Sequence, residues 1–480
     1  MGRDDSRSVS ARADLVGVPL RRAQMTIQRV PMAMLAGLLT LVLAGCAGDG
    51  PTLPKMSELN PFAKKDPPLQ GTRVAIMDAT GSIANTLAPA DRPIVLVPPS
   101  ANENWPQPGG APNNSPGHSA LSATPKQIWS ADAGTGSSTS GKVTASPIVY
   151  DGRVYTLDAD ARVSAFSVNG GSTVWRASLV PDSERKAGSM FTIGSSSTGG
   201  GYGGGIAADN GKLYVATGYG NISALDPKTG KVLWTKGLGA PVRASPTAIG
   251  DRVYVVTTEG RVLAIAGSDG SELWQAKGLT EQASLIGSPS PAIDGDVLVA
   301  PFPSGEVLGL KLGTGEQIWN ESLTRAKGGN AMGALSDAAR PVIDRGVVFA
   351  TAHGGRTTAI QARTGERMWS ANVSSTQGPS VAGDYVFVVD TGGQLLSLGR
   401  RDGQTLWTMK LPDSNVWSGP TLAGGNLWVV SSKGALVGVD AATGRVVSQM
   451  RVGNPSFIPP VVAGGRLYVL TDNARLVAFN

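Results

Sequence analysis

The sequence is poor in the side chains from which most catalytic and metal sites are built. Its 480 residues include one cysteine, Cys46, and two histidines, His118 and His353. A single cysteine excludes an intrachain disulfide and any zinc site built from several cysteines. Both histidines lie in stretches rich in Gly, Pro, Asn or Ala. That setting predicts solvent-facing loop positions rather than metal ligands.

Charged residues are also scarce, at 16% of the chain against about 25% in typical soluble domains. The formal net charge is +6, but six arginines against three aspartates fall within residues 1–45. Beyond residue 45 the basic and acidic residues nearly balance, and no basic run stands out. A nucleic-acid binder concentrates positive charge on one face or in one run, so nucleic-acid binding is not expected.

The chain has one pronounced apolar run, and it is short. Residues 32–44 read MAMLAGLLTLVLA, which is too short to span a bilayer and typical of a signal-peptide core. Arg29 supplies the positive charge before it, and the run ends in Leu43-Ala44-Gly45-Cys46. This ending resembles a bacterial lipobox. The resemblance implies that Cys46 is lipidated and becomes the first residue of the mature protein.

The N-terminal quarter of the chain is therefore expected to direct export and to anchor the protein in a membrane. Residues 1–45 are predicted to be a signal peptide, although Met25 to Cys46 would alone make a complete one, which leaves Met25 as an alternative start. Ala47 follows the lipobox where inner-membrane lipoproteins commonly carry Asp, which favours the outer membrane. Residues 46–121 are rich in Pro, Gly, Asn and Ala, and we predict a flexible tether there.

The remainder of the chain is a repeat. A Gly-containing turn is followed four residues later by Trp. Ser448 marks a degenerate seventh copy, and Trp129 stands before the first turn as an eighth. Successive copies are 38 to 59 residues apart, which is the period of propeller blades. The six full copies end at Trp175, Trp234, Trp274, Trp319, Trp369 and Trp407.

Three short apolar strands precede each turn, and they occur eight times. In one set, residues 253–256 are apolar on both faces, as expected of a sheet packed between sheets. The last set, from Pro460 to Asn480, has no Trp strand after it, and the Trp129 strand has no set before it. We therefore predict an all-β, eight-bladed propeller over residues 122–480, closed by one blade from both chain ends, with the tryptophans packed between blades.

The repeat units resemble the pyrroloquinoline-quinone type of propeller repeat, in Leu225 to Trp234 and in Val439 to Arg445. Two families carry it: the quinone-dependent dehydrogenases and the BamB family, lipoproteins of the outer-membrane β-barrel assembly (BAM) complex. The chain resembles the BamB family over nearly its whole length, with lipobox, tether and eight short repeats. This resemblance implies a non-catalytic scaffold without cofactor, at the periplasmic face of the outer membrane. The implied partners are BamA periplasmic domains, other BAM subunits and nascent outer-membrane proteins.

Two alternatives stay open at this point. A dehydrogenase-like propeller would hold Ca²⁺ with several hard oxygens, but the recurring Asp226 and Asp440 precede Thr-Gly turns, where carboxylates typically cap the turn backbone. An envelope lipoprotein that binds another cell-envelope partner is the third possibility.

The BamB resemblance also implies a partner site. In that family an Arg in a loop between blades, preceded by apolar residues, contacts BamA. The matching stretch here is Ala240 to Pro246, which assigns Val242 and Arg243 to the site. The family's acidic residues one blade later have no counterpart in Leu285 to Ser290.

Overall fold

The computed structural model describes residues 94–139, 141–187, 203–278, 289–324 and 338–480. The predicted signal peptide, Met25, Cys46 and the tether up to residue 93 lie outside the described residues, and their assignments stay predictions. Within the described part, the strands form eight four-stranded antiparallel sheets, which confirms the predicted eight-bladed all-β propeller.

Seven blades are simple meanders in which strand order follows the sequence. Blade 1 comprises β2 (Ile148–Tyr150), β3 (Arg153–Leu157), β4 (Arg162–Ser167) and β5 (Thr173–Ser178). Blade 2 comprises β6 (Gly204–Asp209), β7 (Lys212–Thr217), β8 (Asn221–Leu225) and β9 (Val232–Gly237). Blade 3 comprises β10 (Thr247–Ile249), β11 (Arg252–Val256), β12 (Arg261–Ala266) and β13 (Glu272–Lys277). Blades 4 and 5 comprise β14 (Ala292–Asp294), β15 (Val297–Pro301), β16 (Glu306–Lys311) and β17 (Gln317–Ser322); β18 (Val342–Asp344), β19 (Val347–Thr351), β20 (Thr357–Gln361) and β21 (Arg367–Ala371).

Blades 6 and 7 comprise β22 (Ser380–Ala382), β23 (Tyr385–Val389), β24 (Gln394–Gly399) and β25 (Thr405–Lys410); β26 (Thr421–Ala423), β27 (Asn426–Val430), β28 (Ala435–Asp440) and β29 (Val446–Arg451). Blade 8 joins both ends of the propeller: β30 (Val461–Ala463), β31 (Arg466–Leu470), β32 (Arg475–Phe479) and β1 (Gln127–Asp132). The strand β1 pairs antiparallel with β32, from Trp129 opposite Ala478 to Asp132 opposite Arg475. The predicted ring closure is thereby confirmed. A short helix, α1 (Asp182–Ala187), follows blade 1.

The core lies between neighbouring blades. One buried cluster joins Tyr214 and Ile222 of blade 2 to Val253 and Val255 of blade 3. The two central strands of a blade supply such residues to both faces because each blade is covered on both sides. The tight turns that join these strands use left-handed residue pairs such as Asn210 and Gly211, with φ of 46° and 73°. Positive φ at both central positions matches the twist of the strands on either side.

The repeated tryptophans join each blade to the next, as predicted. Each indole Nε1 donates a hydrogen bond of 2.7–3.2 Å to a backbone carbonyl of the following blade. The Trp ring also lies against the turn glycine of that blade, so the indole satisfies its polar atom while its ring fills the interface. The donor and acceptor pairs are Trp129 to Val168, Trp175 to Pro227, Trp234 to Gly267, Trp274 to Leu312, Trp319 to Ala362, Trp369 to Arg400 and Trp407 to Ala441.

The prediction of a flexible tether up to residue 121 is wrong for residues 94–121, which we call the arm. Its Trp105 is 4% exposed and pairs with Val149 of β2, and its Gln107 side chain bonds to Ala208 and Ala248 of blades 2 and 3. The arm forms hydrogen bonds with residues in or next to the innermost strands of seven blades, so it lies across the ring axis. The partners in the other four blades are Ile293, Ile343, Leu422, Gly424, Val462 and Gly464.

Candidate functional site

The candidate site is a cavity of about 520 Å³ on the ring axis. It lies where the chain enters the innermost strands, and most blades contribute to its wall. The lining comes from connections between blades and from turns inside blades, including residues 142–146, 243–244, 256–258, 338–340, 376–378, 416–417 and 457–459. Loops held on a rigid ring are where propellers and other scaffolds carry function.

The two residues assigned to partner binding lie in different environments. Val242 is 0% exposed and packs in the interblade core with Leu238 and Val255. A side chain with no exposed surface cannot contact a partner of the folded ring, so assigning Val242 to the partner site was wrong. Arg243 is half-buried and lines the axial cavity, where its side chain closely approaches the backbone of Gly203.

A second arginine lines the same cavity. Arg340 directly precedes Pro341 and β18. Desolvation by the surrounding protein lowers the pKa of its guanidinium to about 10, so the group stays charged at neutral pH. Lys142 and Asp472 are the other charged residues in the part of the lining that the structure describes. The Asp472 carboxylate accepts a hydrogen bond of 2.5 Å from the Ser137 hydroxyl. The wall is therefore mainly apolar, with a positive balance of charge.

The cavity mouth carries exposed apolar groups on the side opposite Arg243 in the ring order. Val416, before blade 7, is 52% exposed, and Phe457, before blade 8, is 45% exposed. Between them in the wall, Trp417 is 3% exposed and donates its indole N–H to Ser414. Apolar surface beside arginine is a common composition for the centre of a protein interface.

The recurring aspartates cap turns, as predicted. Asp226 accepts hydrogen bonds from the backbone N–H groups of Lys228 and Thr229 and from the Thr229 hydroxyl, at 2.7–2.9 Å. The Thr229 contacts hold the Asp226 pKa below its ordinary value. Asp440 bonds to Thr443 in the same way. Across the described ranges, no three His, Cys, Asp or Glu residues come together as a metal site would require.

The two histidines are less exposed than predicted. His118 is 5% exposed: its Nδ1 lies 2.7 Å from the Val97 carbonyl and its Nε2 lies 2.8 Å from the Gly425 amide nitrogen. These contacts fix the arm to blade 7, so the prediction of a solvent-facing loop was wrong for His118. His353 is half-buried, and its Nδ1 has no partner in the described structure.

No helix in the described part of the chain has the length and apolar character to cross a bilayer.

Sequence reasoning missed Arg340, although the repeat contains a signal for it. In seven blades a proline precedes the innermost strand, and the residue before that proline is small or a second proline in every case but Arg340. Comparing the repeats position by position would have isolated this one large cation. The residues at this position in blades 1 to 8 are Ser146, Gly205, Ser245, Ser290, Arg340, Gly378, Gly419 and Pro459.

Known proteins match either part of this chain or most of it. An uncharacterised protein of Rickettsia prowazekii is 30% identical over 38% of this chain, and the match spans 41% of that protein. Outer membrane protein assembly factor BamB of Shewanella oneidensis is 26% identical over 74% of this chain and 90% of its own length. The chain thus spans less than half of the Rickettsia protein and most of the Shewanella one.

Solved structures share the fold. BamB of Moraxella catarrhalis superimposes with a TM-score of 0.62 and 19% identity, over 74% of this chain and all of that one. A quinohemoprotein alcohol dehydrogenase of Pseudomonas putida gives 0.60 and 14% over 79% and 80%. A protein-family model described as outer membrane protein assembly factor BamB matches residues 113–192, 159–409 and 391–480. Because that match covers the propeller from the arm to the last strand, the chain belongs to the BamB family.

Proposed function

We propose that the protein is a non-catalytic scaffold lipoprotein of the outer-membrane β-barrel assembly machinery. The observation that carries this proposal is the match of the BamB family model over residues 113–480. The Shewanella relative, named as an assembly factor, is matched over 90% of its length. In this proposal Cys46 carries the lipid anchor, and the propeller lies at the periplasmic face of the outer membrane.

The proposed docking surface for BamA periplasmic domains is the face that contains the mouth of the axial cavity. Arg243 lies on that face, and Val416 and Phe457 expose apolar surface there. A planar guanidinium offers several donors to a carboxylate or carbonyl of the partner. Neighbouring apolar groups add area that loses water on docking. The site therefore combines Arg243 with residues of blades 7 and 8 rather than with Val242.

Nascent outer-membrane proteins are the proposed second partner, at the outer rim of the ring. The outermost strands β5, β9, β13 and β29 each pair on one side only. Leu233, Leu273 and Val447 on these strands are 46–54% exposed. An unpaired edge with exposed aliphatic side chains can add an extended chain as a further strand.

Two other functions give different outcomes in the same experiment. A dehydrogenase-like propeller shares this fold, but Asp226 and Asp440 each use Oδ1 to accept hydrogen bonds from their own turns. A scaffold for a different envelope complex would keep the anchor and change the partner.

The test is to isolate the detergent-solubilised protein from its native membrane and identify what accompanies it. We expect BamA and other assembly subunits, and an N-terminal Cys46 whose mass includes acyl chains. The control is a Cys46→Ser variant, which should stay soluble or unprocessed. Quinone and Ca²⁺ in the purified protein would instead indicate a dehydrogenase, and a different membrane complex would indicate another scaffold; either result would refute the proposal.

A further inference from the structure

The innermost end of the repeat forms a ring of eight equivalent positions around the axis. At these positions the chain has Ser, Gly or Pro in seven blades and Arg340 in blade 5. Neighbours in the ring touch closely: a Cβ on Gly205 would lie 1.9 Å from the Ser245 hydroxyl, and one on Gly378 would lie 2.6 Å from the Arg340 carbonyl. The small residues leave open volume on the axis, and Arg340 is the one large side chain of the set.

Arg340 has no hydrogen bond or ion pair with any residue that the structure describes. Arg340 is half-buried, and desolvation lowers the pKa of its guanidinium without an ion pair to any described residue. A partly desolvated cation without a partner is unfavourable for folding, and such groups are concentrated at binding sites. By comparison, Arg400 follows β24 in the neighbouring blade 6 and is 8% exposed. Its guanidinium donates hydrogen bonds to the carboxylate and the carbonyl of Asp344 in blade 5.

The charges around the cavity reinforce this positive site. Lys142 and Arg243 face it from blades 1 and 3. Asp472 is the one acidic residue among the described residues of the lining, and it accepts a hydrogen bond from Ser137. Basic residues therefore outnumber acidic ones in the described part of the wall, which favours an anionic ligand.

The rest of the cavity wall is mainly apolar and therefore favours a ligand with an apolar body. Val143, Val256, Trp417 and Ile458 line the cavity, and its mouth exposes Phe457. A volume of about 520 Å³ is within the usual range for small-ligand pockets. Phosphate would need several donors around its three or four oxygens, whereas one guanidinium satisfies both oxygens of a carboxylate.

We propose that the axial cavity binds a carboxylate carried on an apolar body, with Arg340 as its charge partner and the apolar wall enclosing the rest. Two sources have this chemistry: the free C-terminus of an apolar peptide and a free aliphatic carboxylic acid. This proposal differs from the proposed BamA contact in its charge partner, which is Arg340 rather than Arg243, although both arginines line the cavity.

The test is calorimetric titration of the purified, detergent-solubilised protein with three probes. These are N-acetyl-Ala-Leu-Phe with a free carboxylate, the same peptide with a C-terminal amide, and decanoate. We expect at least one carboxylate to bind, and the amide to bind at least tenfold more weakly than the acid. Peptide binding without decanoate binding would identify a polypeptide C-terminus, and the reverse would identify a free acid; both results support the proposal.

Arg340→Gln should weaken carboxylate binding at least tenfold. The matched control is Arg363→Gln, which changes an arginine that is 79% exposed and lies 3.5 Å from Asp296. Because Arg340 has no partner among the described residues, its replacement should leave the thermal unfolding midpoint unchanged or raise it. Any of three binding results would overturn the proposal: no carboxylate binding by the wild type, equal binding of acid and amide, or a folded Arg340→Gln variant with unchanged affinity. A lowered unfolding midpoint would also overturn it, because it would assign Arg340 a structural role.

Discussion

The contact between each tryptophan and the next blade depends on single glycines. Gly230 has φ of +72°, and a Cβ there would lie 2.5 Å from Cε3 of Trp175. Two requirements therefore coincide at this position: a left-handed backbone and an open surface for the ring. Gly211, in the same blade, has φ of +73° but nothing within 4 Å of an added Cβ.

These two glycines allow strain and packing to be separated. Gly211→Ala should lower the free energy of unfolding by about 1–2 kcal/mol, the penalty for a left-handed alanine. Gly230→Ala should cost a further 1–3 kcal/mol, roughly, because the methyl group displaces the Trp175 ring. Urea unfolding of both variants measures the difference. Equal losses would show that the Trp175 contact with the turn contributes nothing beyond the backbone conformation.

Among single residues, the sequence predicted the roles of those that recur at the same position in each repeat. The roles of Trp175 and Asp226 follow from turn spacing, and both are confirmed. The direction of Val242 could not be predicted, because a loop between blades has no periodicity to separate inward from outward residues. Arg340 could have been found only by aligning the repeats with one another.

The arm is the element that composition misrepresents. Its Pro, Gly and Asn content resembles a linker, yet those residues serve close backbone approaches to the ring. Asn114 donates to the carbonyls of Pro291 and Pro341, and Gln107 donates to those of Ala208 and Ala248. Contacts of this kind have no hydrophobic period, so the sequence signal for structure is absent even where the packing is close.

We predict that the arm stabilises the ring through Gln107. This side chain is 1% exposed, and its amide makes three hydrogen bonds to two blades. Gln107→Met keeps the volume but leaves three backbone groups unsatisfied, which should lower the free energy of unfolding by about 3 kcal/mol. The control is Glu103→Met on the exposed part of the arm. Chemical denaturation should separate the two variants, and equal stability of both would show that the arm contributes little to the fold.

The whole molecule is a closed ring with chemically different interfaces. Seven interfaces use a tryptophan, and blade 7 has Ser448 in that position, while Trp428 of β27 is 0% exposed within the same blade. The blade count and the closure were predictable because the last repeat has three strands without an outermost Trp strand, and the Trp129 strand has no three strands before it. The axial cavity was not, since it arises only when eight blades surround one axis.

The functional claim also belongs to the whole molecule, because the docking face combines several blades. Arg243 comes from the connection before blade 3, and Val416 and Phe457 come from those before blades 7 and 8. No single repeat contains this surface. A charge reversal at Arg243 changes it without touching the buried Val242 beside it.

The most direct measurement is the affinity of purified Arg243→Glu for the BamA periplasmic domains, together with its thermal unfolding midpoint. The reversal should weaken binding at least tenfold, about 1.4 kcal/mol, and the unfolding midpoint shows whether the variant is folded at the temperature of the binding measurement. Arg363→Glu, on an exposed turn remote from the cavity lining, should bind like the wild type. A folded Arg243→Glu variant that binds BamA with unchanged affinity, or a wild-type protein that does not bind BamA at all, would contradict the account.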